Sequence, residues 1–258
     1  MLDAQDARLL SPEIADAPAN SAQRSTLGDA TGFPVLEQTV IALSPGGSIS
    51  REPGECEEVL FVLSGGGSLA LGETEHRLEP EAGVYLAPGE SAQLRAAGAE
   101  PLRLVSVRIP EPAADEEATG ERSIVRALAG QDAQDATGER EFRIVADPDC
   151  GLRSATHFVG YIPPGRAPVH FHTYDEVIYV LDGQGLLHAG GSSTPISAGS
   201  CIQLPARSLH CLENTGASVM RVQAVFRPAG SPASAFYPDG SPAYNAGAVA
   251  ATNPQPTP

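Results

Sequence analysis

The feature that most constrains this chain is an internal repeat. Glu57-Glu58-Val59-Leu60-Phe61-Val62-Leu63-Ser64-Gly65-Gly66-Gly67 matches Asp175-Glu176-Val177-Ile178-Tyr179-Val180-Leu181-Asp182-Gly183-Gln184-Gly185, with a shift of 118 residues. Downstream, Ala82-Gly83 through Pro88 matches Ala198-Gly199 through Pro205 after a small indel. A unit that occurs twice folds twice, so the chain is two copies of one domain, each of roughly 90 to 110 residues. The repeated run is rich in β-branched and aromatic residues and stops at glycine, as a strand does. Val35–Leu43, Val84–Leu86, Leu102–Val107 and Phe142–Val145 share that texture. Glycine (27) and proline (23) punctuate short runs throughout, which predicts an all-β protein built of two sandwiches or small barrels.

Between and around the copies the texture changes. Residues 1–30 are Ala, Asp, Ser and Pro rich and predict a flexible lead-in to a first domain at 31–110. Residues 111–141 are acidic and carry Ala-Thr-Gly-Glu-Arg twice, at 118–122 and 136–140, which predicts a linker with one short helix near 123–129. A second domain then spans 142–228, and 229–258 predict a flexible tail. Both ends hold few large apolar side chains, so trimming 1–25 and 240–258 is expected to sacrifice little buried area.

Composition excludes several functions. Every basic residue is arginine, so lysine Schiff-base chemistry and P-loop catalysis are ruled out. A net charge of −16 opposes capture of nucleic acid or an anionic membrane. No apolar run is long enough to span a bilayer. The acidic N-terminus has no apolar signal core, and Cys56, Cys150, Cys201 and Cys211 lack CxxC spacing, which together predict a cytoplasmic protein with free thiols.

Five of the six histidines lie in the second copy. In Gly165-Arg166-Ala167-Pro168-Val169-His170-Phe171-His172-Thr173-Tyr174-Asp175-Glu176 the prolines oppose a helix, so His170 and His172 share one face of an extended segment. Full extension would put Glu176 about 13 Å beyond His172. A turn at 173–175 is therefore needed to bring the carboxylate back. Downstream, Gly199-Ser200-Cys201-Ile202-Gln203-Leu204-Pro205-Ala206-Arg207-Ser208-Leu209-His210 ends in a bend that could aim His210 at the same point, with Asn214 following. Three imidazoles and a carboxylate suit one divalent transition metal and leave about two positions open on an octahedral ion, as in catalytic sites. His76 and His188 read as satisfied surface or core residues, His157 as core more often than cavity wall, and Cys211 as core filler, because neighbours on a strand face opposite ways. Arg166, as a carboxylate clamp or a solvated loop residue, and Tyr174 and Gln203, as hydrogen-bond partners of the site, are the catalytic candidates.

These residues resemble the two motifs of the cupin superfamily, G(X)5HXH(X)3,4E(X)6G and G(X)5PXG(X)2H(X)3N. Gly165 (one residue short), His170, His172, Glu176 and Gly183 follow the first; Gly199, Pro205, His210 and Asn214 follow the second, with Arg207 where the family usually has glycine. The resemblance covers about 35–110 and 142–228. It implies two tandem cupin barrels (double-stranded β-helix, jelly roll), hence a bicupin, with metal ligands His170, His172, Glu176 and His210 and a single Mn²⁺ or Fe²⁺. In the first copy the positions of the two histidines fall at Glu52 and Gly54, and that of His210 falls near Gln93, so the first barrel is expected to bind no metal.

The resemblance implies a metal-dependent enzyme acting on a small polar organic molecule by bidentate chelation and Lewis-acid activation. Its layout, with metal only in the C-terminal barrel, is similar to that of the ureidoglycine aminohydrolases. Aminohydrolase or isomerase chemistry is expected first, with an iron dioxygenase as the alternative and a non-catalytic small-molecule-binding cupin as the reading from another class. No second cofactor, nucleic acid or membrane is expected; a homo-oligomer stays open.

Overall fold

A computed structural model describes residues 8–10, 21–28, 32–110, 117–137 and 139–243. The repeat becomes a repeated topology. In the first half, Ala82–Leu86, Glu57–Ser64, Leu102–Ile109 and Glu37–Leu43 lie side by side, antiparallel and in that order. They face a smaller sheet of Ser48–Arg51, Ala92–Ala97, Gly66–Leu71 and Thr74–Leu78. In the second half, Cys201–Leu204, Asp175–Asp182, Met220–Arg227 and Thr156–Ile162 take the same order. Their facing sheet is Gly165–Arg166, His210–Asn214, Gln184–Ala189 and Ser192–Ser197. Each half is a β-barrel of jelly-roll type, and no helix among the described residues is long and apolar enough to cross a membrane.

The same turn closes the long strand in both copies. Gly65 (φ +77°) and Gly183 (φ +91°) stand at its end, in a backbone region that favours glycine. A Cβ would come within 2.2 Å of the Pro101 carbonyl oxygen at the first and 2.9 Å of Met220 at the second. The repeat thus conserves a steric requirement.

Each barrel has its own core, and a third one joins them. Leu60, Val62, Leu86 and Leu104 fill the first barrel, whereas Ile178, Val180, Phe158 and Phe226 fill the second. Successive strand residues point to opposite faces, so the long strands are apolar on both sides. The outer faces bury Val59, Val105 and Val107 of one half against Val177, Cys201 and Val225 of the other. His157 lies in this seam. It is buried, its ring meets Phe61 edge-on at 5.8 Å, and desolvation pushes its pKa down to about 3, with Gln223 beside it partly offsetting the effect.

Three expectations are corrected here. The lead-in carries strands Arg8–Leu10 and Ser21–Leu27. The second extends the first barrel on Glu37–Leu43, while the first crosses to pair with Cys201–Leu204 of the second barrel. Both cover sheet edges whose amides and carbonyls would otherwise lack partners. The helix expected near 123–129 is replaced by a strand, Val125–Ala127, on the open edge of Ala82–Leu86, followed by a single 3₁₀ turn. The tail packs as far as residue 243: Ala233, Ala235 and Ala243 are buried, and Phe236 bridges backbone to backbone with Phe171. Residues 244–258 and the other parts of both ends lie outside the described residues. The four cysteines are free, as expected.

Two outcomes follow. Leu27 is fully buried in the seam, so Leu27→Ala is expected to cost about 2–5 kcal/mol in denaturant unfolding; a change near zero would mean that the strand does not dock. The second concerns pH. The folded chain keeps His157 neutral down to about pH 3, while the unfolded chain protonates it near the ordinary 6.5. Between those values the unfolded state binds more protons, so the stability contributed above pH 6.5 is lost as pH falls toward 3. His157→Leu is expected to flatten the dependence of unfolding free energy on pH by about one proton, about 1.4 kcal/mol per pH unit, over roughly pH 4 to 6. An unchanged slope would contradict a buried neutral ring.

Candidate metal centre

The geometry of the centre starts in the backbone. Gly165–Arg166 pairs with the end of His210–Asn214, and the chain then runs alongside that strand to His170. There, the His170 amide donates to the His210 carbonyl (3.0 Å) and the His210 amide to the His170 carbonyl (2.9 Å). Directly opposed residues of an antiparallel pair project to the same face, and His172, two residues on, returns to it. The ring centroids stand 4.7 Å (His170–His210), 5.0 Å (His170–His172) and 5.2 Å (His172–His210) apart. One nitrogen from each ring lies within 4.8 Å of the others. Arg207 takes a left-handed φ of +67°, where glycine would sit without strain, and its amide donates to the His172 carbonyl at 2.7 Å. The bend therefore forms despite the side chain, at a cost of about 1–2 kcal/mol. Asp175 holds the same loop by accepting from the Ala206 amide at 2.9 Å.

The imidazoles are also fixed in protonation. His170 Nδ1 meets the Pro168 carbonyl (2.9 Å), His172 Nδ1 the Ser234 carbonyl (2.6 Å) and His210 Nδ1 the Ser208 carbonyl (2.9 Å). A carbonyl can only accept, so each Nδ1 carries the hydrogen and each Nε2 presents a lone pair. Desolvation, first of all, lowers all three pKa values, that of His210 to about 3, and the neighbouring imidazoles lower His172 and His210 further. Three neutral rings with converging lone pairs repel one another unless a cation stands between them. The donor set fits a divalent transition metal.

A cavity of about 90 Å³ adjoins the cluster. Glu176, the second residue of the strand Asp175–Asp182, lines this cavity, buried, although it stands outside the group of three imidazole nitrogens. Desolvation pushes its pKa up to about 8. The turn expected at 173–175 is present as a bend. Tyr174 lines the cavity too, stacked between His172 (4.6 Å) and Phe226 (3.9 Å).

The other candidates lie elsewhere. Gln203 stands in register with Val177 and therefore points outward into the seam between barrels. Arg166 is exposed beside the barrel mouth and does not line the cavity. His157 faces the seam. His188 bonds Ser193 (2.8 Å) and Glu213 (2.6 Å) on the small sheet, and Cys211 is buried with its thiol against the Ala167 carbonyl.

Two contributors were not anticipated. The Ser234 carbonyl comes from the tail, and a backbone atom leaves no trace in a sequence. Arg140 lines the cavity from the connecting segment. The doubled Ala-Thr-Gly-Glu-Arg string was its one signal: the first copy ends in Arg122, which pairs with Glu90 and covers the Tyr85 ring, and the second ends in Arg140.

The first barrel has turned the equivalent position to another use. Glu58, the counterpart of Glu176, is fully buried and accepts from the Arg51 guanidinium and the Ser106 hydroxyl. A fixed positive charge stands where a cation would balance that carboxylate. Among the described residues, the three histidines of the second barrel are the one group of metal-ligand type.

Residues 39–108 and 158–226 each match the sequence profile of the cupin domain. A curated relative, the oxalate-binding protein of Thermotoga maritima, is 34% identical over 67 residues, which is 25% of this chain and 54% of the relative. The chain thus spans about half the length of the curated relative it matches. Similar solved structures include a Pseudomonas aeruginosa protein described as glyoxylate-induced, with a TM-score of 0.72 and 18% identity over 87% of this chain and 90% of that one. Another is Ylba from E. coli (0.71, 14%, covering 88% and 93%). A third is a Bacillus subtilis oxalate decarboxylase mutant (0.69, 14%, covering 85% and 77%). At these identities the structures share the fold.

Proposed function

Since the chain belongs to the cupin family, with the family's domain present twice, we propose that its second barrel is a mononuclear metal centre serving an enzyme that activates a small polar organic molecule. The observation that carries this reading is the set of three histidines whose Nδ1 atoms are tied to backbone carbonyls and whose Nε2 lone pairs converge. His170, His172 and His210 would hold the ion, with Glu176 as the carboxylate donor. Imidazole and carboxylate together suit Mn²⁺ or Fe²⁺. When bound, such an ion supplies Lewis acidity toward a ligand that offers two donor atoms.

The chain's own residues do the rest. Tyr174 stacks on His172 and fixes its ring plane. Phe142, Phe158, Ile178 and Leu212 wall the cavity and exclude water, which strengthens every charge interaction inside it. The small cavity admits a metabolite and no polymer. The names of two relatives support a chelating acid as the kind of ligand, since both carry oxalate, a bidentate oxygen donor. One of those names describes binding alone, which favours a second reading: a non-catalytic binding cupin.

Metal analysis of protein purified without chelator is expected to find one transition-metal ion per chain. His172→Ala should remove most of it and Glu52→Ala should leave it in place. Two ions per chain, or full retention by the His170→Ala/His172→Ala double variant, would refute the assignment. Turnover of a small acid that is lost on chelation and restored by Mn²⁺ or Fe²⁺ is the outcome for an enzyme; tight binding without turnover is the outcome for the binding cupin.

A further inference from the structure

The cavity contains a cation that faces no carboxylate among the described residues. Arg140 Nη2 donates to the Leu212 carbonyl at 2.6 Å, and its guanidinium lies beside the Cys211 thiol. Arg51, Arg108, Arg122, Arg153 and Arg221 each face a carboxylate, whereas Arg140 belongs to no ion pair among the described residues. Glu141, exposed on the same rim, does not reach it within ion-pair distance. Burial lowers the Arg140 pKa, yet a guanidinium keeps its charge in proteins. Its field reaches all three imidazoles, each of which it pushes further toward the neutral form.

The surroundings define what such a charge would hold. Besides Arg140 and the histidines, the cavity is lined by Phe142, Phe158, Ile162, Ile178, Leu212 and Val222. A half-buried guanidinium with a carbonyl and a thiol but no opposite charge beside it is incompletely balanced, and an incoming carboxylate supplies that balance through charge-assisted hydrogen bonds. With no metal at the histidines, a compact diacid would leave its second charge without a counter-ion in this cavity. A hydrocarbon body would fill it.

Resting on the reading of this cavity as a ligand site, we infer that the ligand is a small organic acid with a branched or aromatic hydrocarbon body, whose carboxylate is anchored by Arg140 while donor atoms at its far end face the three histidines. Arg140 is then a residue that determines specificity, delivered to the second barrel by the segment that connects the two.

Calorimetric titration of the full chain with isovalerate and benzoate, beside isovaleramide, benzamide and oxalate, tests this. Chelated protein is used first, so that no metal can hold a carboxylate. At least one monoacid is expected to bind about tenfold or more tightly than its amide and than oxalate. Arg140→Gln should abolish that preference with metal content unchanged, and Arg140→Lys should restore part of it. Equal affinity of acid and amide, tighter binding of oxalate, no binding of either monoacid at millimolar concentration, or a preference surviving in Arg140→Gln would each overturn the proposal. The acid–amide comparison needs no variant, so misfolding of Arg140→Gln leaves the test intact. Wild-type protein that prefers the acid yet takes up no metal would sink the metal reading and leave this one standing.

Discussion

Two backbone hydrogen bonds between His170 and His210 set the geometry on which the rest of the centre depends. They place two imidazoles from separate segments side by side on one face of an antiparallel pair, and period-two alternation adds His172. The side chains are then locked by carbonyls of Pro168, Ser208 and Ser234, so that ring orientation and tautomer are both settled before any ion arrives. That arrangement costs desolvation of three rings and one carboxylate. A metal would offset it by drawing on every lone pair at once.

The two barrels show what duplication permits. Both keep the strand order and the glycine at the end of the long strand, because both must close the same turn against the same kind of neighbour. They differ at the buried glutamate. Glu58 is neutralised from within the chain by Arg51, and Glu176 lines the cavity that adjoins the imidazoles. Each barrel contributes an outer sheet face to the seam around Val59, Val107, Val177 and Val225. The ends and the connecting segment tie the halves together: Arg8–Leu10 pairs with the second barrel, and Glu57 of the first accepts from the Arg153 and Ser154 amides of the second half.

Much of this was legible in the sequence. The repeat gave two all-β domains because a strand run with a glycine stop means the same thing wherever it recurs. The spacing of His170, His172, Glu176 and His210 pointed to one cavity, and the structure brings the three imidazoles together with Glu176 on the same wall. The errors share a cause. Gln203 was misplaced because facing depends on cross-strand register, which one strand does not encode. The flanking segments read as flexible because they hold few large apolar residues, yet edge strands bind through backbone groups that every residue carries, and single side chains such as Leu27 suffice to dock them. Arg166 is exposed, as its reading as a solvated loop residue has it, and Arg140 reaches the cavity from a segment far from the ligand motif in sequence, where spacing gives no sign of it.

The central claim is that the chain itself prepares three neutral, Nδ1-protonated imidazoles for an ion. Long-range ¹⁵N–¹H correlation spectra of the histidine rings in chelated protein at neutral pH measure it directly. The account requires His170, His172 and His210 each to show a protonated Nδ1 and a bare Nε2, without averaging between tautomers. Nε2-protonated rings, or rapid exchange between the two forms at any of the three, would contradict it.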